Sequence, residues 1–253
     1  MAAAPLSLTC CSAVLQTYEG RDKAARFLQF AARFLVGITS SAQGLVLLKL
    51  GNDARKLLSA MTTARRTFRL GRELPVLLSV PDVLRRQQLS DRVLELAQKV
   101  ALVMYFLVDH IGWLKQVRSG AKSGSKTIQL GLKWLAISSL ISMLNEVRKC
   151  RSESGEPCKA RGFNILRDSL VAVQALHLSR WLEVGDATIG IFGMASSIMD
   201  IMRVWPADTT FVSSAKALQI SEADSLKRQL SSESTASYAS SASQRSPDRE
   251  IFA

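Results

Sequence analysis

Asp109 and His110 are adjacent, and no other acid stands beside a histidine in the chain. Successive side chains on a helix point about 100° apart, so the pair does not make a general acid–base dyad by itself. His177 stands alone in an apolar stretch, where a hydrogen-bonded core histidine is the simpler reading. Gly120-Ala-Lys-Ser-Gly-Ser-Lys-Thr127 superficially matches a phosphate-binding loop. Its glycine-to-glycine spacing is one residue short, Ser125 intervenes before Lys126, and no strand precedes it, so that reading is rejected. Gly-x-Ser-x-Gly is absent. The four cysteines, Cys10, Cys11, Cys150 and Cys158, include no Cys-x-x-Cys, and with two histidines they make a poor zinc set. Free thiols in a reducing compartment are expected, with acylation of Cys10–Cys11 as the sharper alternative. The chain is read as a non-enzyme without metal or cofactor.

The residues that could do work are the cations. Between 53 and 72 there are six basic residues and one acid, with Arg65, Arg66 and Arg69 on one flank of a helical pattern. A solvated face usually mixes signs. Anionic lipid headgroups attract each adjacent Lys or Arg by roughly 1 kcal/mol, so this stripe suits an anionic membrane surface. Lys126 and its neighbours Lys115, Arg118 and Lys122 form a further basic stretch without an acid.

Over 253 residues there are 33 Lys and Arg against 21 Asp and Glu, a net charge of +12, and the mean hydropathy is nonetheless positive, +0.12. High charge with high hydrophobicity argues against wholesale disorder. It suits a protein that buries apolar area at an anionic surface. Nucleic-acid binding is the other use of such a charge, but zinc-finger spacing, a basic zipper and an aromatic RNA-binding strand are all missing. No basic region precedes the apolar stretch 2–15, so neither a signal peptide nor a transit peptide is expected.

Helical periodicity dominates and sustained alternation is absent, which predicts an all-α fold. Residues 207–253 hold 12 serines and few large apolar residues, which predicts a disordered tail. The expected division is an N-terminal extension, 1–16, a helical membrane domain, 17–206, and the tail, 207–253. A first helix is expected over 22–38. Asp22, Arg26, Gln29 and Arg33 fall on one stripe, and Phe27, Leu28, Phe34, Leu35 and Ile38 lie opposite, with Lys23 and Phe30 between. A core helix and an interfacial helix both fit this pattern. A second helix is expected over 53–70, with Asp53 as its N-cap. Apolar runs at 100–108, 134–144 and 187–199 each fall short of a clean span, and only 187–205 stays open as one. Trp113, Trp134, Trp181 and Trp205 lie near their edges, where interfacial aromatics belong.

Four segments in order carry a resemblance. Tyr18-Glu-Gly-Arg-Asp-Lys-Ala-Ala-Arg-Phe-Leu-Gln-Phe-Ala-Ala-Arg-Phe34, Ala64-Arg-Arg-Thr-Phe-Arg-Leu-Gly-Arg72, Tyr105-Phe-Leu-Val-Asp-His-Ile-Gly-Trp-Leu114 and Val184-Gly185 through Trp205 are similar to the signature segments of the peroxin-11 family. Phe30 replaces the family's usual tyrosine. The 47-residue tail departs from members that stop after the last apolar segment. The resemblance implies a non-enzymatic peroxisomal (or glycosomal) membrane protein with cytosolic termini that remodels the bilayer for peroxisome elongation, proliferation and fission. It implies self-association, a fission adaptor, a dynamin-type GTPase and the import receptor for peroxisomal membrane proteins as partners. On that footing Phe27, Leu28, Phe34 and Leu35 would be the membrane wedge. Lys23, Arg26 and Arg33, with Arg65, Arg66 and Arg69, would hold headgroups. A metabolite pore is the alternative, with Asp109, Lys133 and Asp200 as its intramembrane candidates. In the tail, Ser231 follows a basic residue three positions back and Ser246 precedes Pro247, so both are candidate phosphorylation sites.

Overall fold

The computed structural model describes residues 8–41, 43–120, 122–152 and 156–205, and among them the ordered elements are all helices. The expected disordered tail, with Ser231 and Ser246, lies outside the described residues. In chain order the helices are α1 (Leu8–Gln16), α2 (Tyr18–Thr39), α3 (Leu45–Phe68), α4 (Glu73–Leu78), α5 (Val80–Leu84), α6 (Leu89–Ser119), α7 (Ser125–Ser152), α8 (Glu156–Leu178) and α9 (Asp186–Val204). Residues Leu15–Val204 form one compact unit, and α1 begins ahead of it.

Local chemistry sets the ends. The Thr17 hydroxyl accepts from the backbone N–H of Gly20 at 3.0 Å and caps α2, which therefore starts four residues before the expected 22. α3 starts at Leu45, not at Asp53. The leucine-rich run Leu45–Leu50, interrupted only by Lys49, continues the helix backwards, and Asp53 sits inside it, facing Lys56 at 3.5 Å. Pro75 and Pro81 do not break the chain into loops; they lie in the short helices α4 and α5. Gly120, at φ 89°, ends α6. The loop from 120 to 124 then simply joins α6 to α7.

The six long helices of this unit pack in a closed order. α3 lies on α2, α2 on α9, α9 on α8, α8 on α7 and α7 on α6, with a lighter contact from α6 back to α3. The α2–α9 seam is tight because glycines face it. A Cβ on Gly190 would stand 2.6 Å from the Phe34 backbone, and one on Gly193 would enter the Phe30 ring. Cys150 and Cys158, expected as separate thiols, are joined by a disulfide, because the α7–α8 hairpin brings their Cα atoms to 5.0 Å.

Leu89–Ser119, Ser125–Arg151 and Asp186–Val204 are each long and apolar enough to cross a membrane. This corrects the expectation of short runs with a single open span. The helices continue through Asp109 and Lys133, whose charges meet partners within the bundle. The outside is correspondingly greasy: Leu45 is 86% exposed, Val46 80% and Leu28 46%.

Candidate functional site

The expected polar stripe of α2 faces inward. Asp22, Lys23, Arg26 and Gln29 are all buried, while Leu28 and Ile38 face outward. The helical period located the stripe; its acid partners, far along the chain, decide which way it points.

Asp200 of α9 is the first hub. Its Oδ2 accepts from Lys23 Nζ at 3.0 Å and from Arg26 Nη1 at 2.8 Å. Its Oδ1 accepts from Arg167 Nε of α8 at 2.7 Å. Arg26 Nη2 also donates to Gln174 Oε1 at 3.1 Å and Ser196 Oγ at 3.2 Å. Arg167 reaches Asp168 at 2.7 Å, and Ser142 Oγ of α7 holds the other oxygen of Asp168 at 2.6 Å.

Asp22 is the second hub, and it gathers the end of α3. Arg65 Nε donates to it at 3.1 Å, Arg72 Nη1 at 3.0 Å, and Arg69 Nε stands 3.7 Å away. Arg72 also reaches Glu19 at 3.0 Å. Asp109 of α6 faces Arg66 at 3.8 Å and Arg69 at 4.0 Å, and Arg69 donates to the Tyr105 hydroxyl. At the far end of α2, Arg33 Nη1 donates to Asp186 at 2.6 Å.

Burial pushes the Asp22 carboxyl up, but Arg65, Arg69, Lys23 and Arg72 outweigh it and hold it at about 2. Burial pulls the Lys23 ammonium down to about 8, against the opposing pull of Asp200. Arg65 is pulled to about 10 by burial first and by Arg69 second. These are closely packed, poorly hydrated charges.

A cavity of about 580 Å³ lies among α2, α3, α4, α6, α7 and α8, with these cations in its wall. Arg33 and Arg66 also line a second cavity of about 610 Å³. No group of three or more possible metal ligands occurs among the described residues.

The six residues expected to hold headgroups, Lys23, Arg26, Arg33, Arg65, Arg66 and Arg69, are thus placed inside the bundle in ion pairs. Their partners there are Asp22, Asp109, Asp186 and Asp200. Of the expected wedge, Leu28 is exposed, whereas Phe27, Phe34 and Leu35 are half-buried. Of the pore candidates, Asp109 and Asp200 join the buried cluster. Lys133 instead lies 4.8 Å from the centre of the Trp181 ring. Sequence reasoning missed Glu19, Tyr105, Arg72, Arg167 and Gln174. Arg72 was within reach, since it continues the 65, 69, 72 spacing on one helical flank; the others show no local signal.

A family model described as Peroxisomal biogenesis factor 11 (PEX11) matches residues 8–161, more than half of the chain. No curated protein and no solved structure matches.

Proposed function

Because the chain belongs to the peroxisomal biogenesis factor 11 family, and so acts in peroxisome biogenesis, we propose that it does so by remodelling the peroxisomal membrane from within. The observation that carries this reading is the apolar edge made by the start of α3 and the outer flank of α2, where Leu45, Val46, Leu48, Leu28 and Ile38 are exposed beside three span-length helices. Apolar side chains seated in one leaflet expand it and favour curvature, which promotes elongation and then fission.

Two states of α2 follow from its packing. In the bundle its cations are paired and only its outer flank meets lipid. Released, it would offer Phe27, Leu28, Phe34 and Leu35 as a wedge, and Lys23, Arg26 and Arg33 to headgroups. Loss of α2 would free Arg65, Arg66 and Arg69 as well. Self-association, a fission adaptor, a dynamin-type GTPase and the membrane-protein import receptor are the partners this reading calls for, with both termini in the cytosol. Phosphates on Ser231 and Ser246 would each add about −1.5 to −2 charge, enough to draw the tail toward the basic helices.

The test is a lock. Arg33→Cys with Asp186→Cys replaces an ion pair that joins α2 to α9, and a bis-methanethiosulfonate linker bridges the two thiols through reducible disulfides. The linked and reduced forms of the full chain are compared for tubulation of anionic vesicles. Tubulation only when reduced supports release of α2. Equal tubulation assigns the work to the exposed edge. No tubulation by either form, with the wild-type chain equally inert, removes the remodelling reading.

One observation favours a second reading, a metabolite-conducting pore: a ring of long helices surrounds two charged cavities that share Arg33 and Arg66. Single-channel conductance of the purified chain, lost in Arg66→Glu, would support it.

A further inference from the structure

The charges of the cavity lined by Asp22 and Asp109 do not balance. Eight basic side chains line it, against the three carboxylates of Glu19, Asp22 and Asp109. Asp168, Asp186 and Asp200 pair with those bases from behind the wall, and two positive charges are still left over. One of the two lies where α3 ends, the other among Lys23, Arg26, Arg33 and Arg167. Arg65, Arg66, Arg69 and Arg72 share Asp22, Asp109 and the half-exposed Glu19. The carbonyl end of α3 offsets only about half a charge more. Arg33 Nε, also in this wall, is buried without a hydrogen-bond partner.

A buried cation lacking a counter-charge is strongly unfavourable, and the excess calls for a bound anion. The chemistry of the donors narrows which one. Guanidinium groups offer paired N–H donors that match phosphate oxygens two at a time. A surplus of two charges matches a phosphate monoester dianion better than a carboxylate. Tyr105 places a hydroxyl beside Arg69 as a further donor. Phe30, Phe106, Leu132 and Leu135 also line the cavity and would receive the body that carries the phosphate. Its volume is that of a small-molecule site.

We propose that this cavity binds a phosphate group, borne either by a small soluble ester or by a lipid headgroup. The proposal rests on neither the remodelling nor the pore reading, and it would survive the failure of both.

The full chain is placed in nanodiscs of phosphatidylcholine, without and with phosphatidic acid. Inorganic phosphate and glycerol 3-phosphate are titrated calorimetrically, with chloride holding ionic strength constant. Saturable binding in phosphatidylcholine discs, weakened at least tenfold by Arg66→Gln and by Arg69→Gln, supports the proposal and names a soluble source. Binding blocked by phosphatidic acid, which co-purifies with the wild-type chain but not with Arg66→Gln, supports it and names a headgroup. Arg66 faces Asp109 alone, at 3.8 Å, whereas Arg69 faces both Asp22 and Asp109, so Arg66→Gln serves if Arg69→Gln does not fold. Failure of the wild-type chain to take up either phosphate source beyond chloride overturns the proposal. So does equal affinity in wild type and a folded Arg66→Gln.

Discussion

Lys23 and Asp200 meet inside the bundle at 3.0 Å although 177 positions separate them in the chain. Arg26 shares the same carboxylate oxygen and Arg167 takes the other, so three cations share one acid. Removing one partner of a buried ion pair leaves an uncompensated charge, which costs about 3–5 kcal/mol. Asp200→Asn should therefore lower stability by about that much, read by thermal or detergent-induced unfolding of the purified chain. An unchanged midpoint would show that the three cations are neutralised by other groups.

Asp22 should make stability fall with acid. Its folded pKa, about 2, is below the 3.8 of an unperturbed carboxyl. The stability it adds is complete above the unfolded value and is lost as the pH falls through the folded one. The shift corresponds to about 2 kcal/mol. The stability gap between wild type and Asp22→Asn is expected to close as the pH is lowered from about 4 to about 2. A gap that does not change over that window would mean that Asp22 acts through shape alone.

Gly193 lies where the Phe30 ring presses on α9. Gly193→Leu should separate α2 from α9, at a cost of at least about 1–3 kcal/mol for overpacking. Paired spin labels on the two helices should report a wider distance. Gly162, whose added Cβ would meet open space, is the control: Gly162→Ala should leave that distance unchanged.

The apolar edge should govern membrane affinity with little effect on folding. Leu45, Val46 and Leu48 are exposed, so replacing them with Ser should shift stability by only about 0.5 kcal/mol or less at each site. The same changes remove side chains worth roughly 1.5–3 kcal/mol each when fully immersed in lipid. Vesicle flotation should fall clearly. Equal flotation would place the lipid contact elsewhere.

The helices were legible from the sequence because their cause is local. The runs at 100–108, 134–144 and 187–199 fall within α6, α7 and α9, and the α2 stripe lies at the positions its period gives. Which way that stripe points was not legible. A row of Asp22, Arg26, Gln29 and Arg33 fits a core face or an outer one until its charged partners are known. The acids among them, Asp186 and Asp200, stand on the last helix. Nor was the close approach of Gly190 to the Phe34 backbone, which sets α9 against α2, legible. Asp109 and Asp200 were readable as costly charges in apolar helices; their arginine partners were not. The family resemblance supplied the cellular setting, which no side-chain geometry contains.

The position of α2 between α3 and α9 also orders events during synthesis. The ribosome makes α2 long before α9, so Lys23 and Arg26 must wait for Asp200 until nearly the whole helical unit has emerged. During that interval the nascent chain carries an amphipathic helix whose cations outnumber its own acids, beside strongly apolar segments still being made. Such an intermediate is prone to aggregate and needs an escort. A chain that stops short of α9 would keep that helix unpaired permanently, so truncation there should yield a species that clings to any anionic membrane it meets, whichever organelle that membrane encloses.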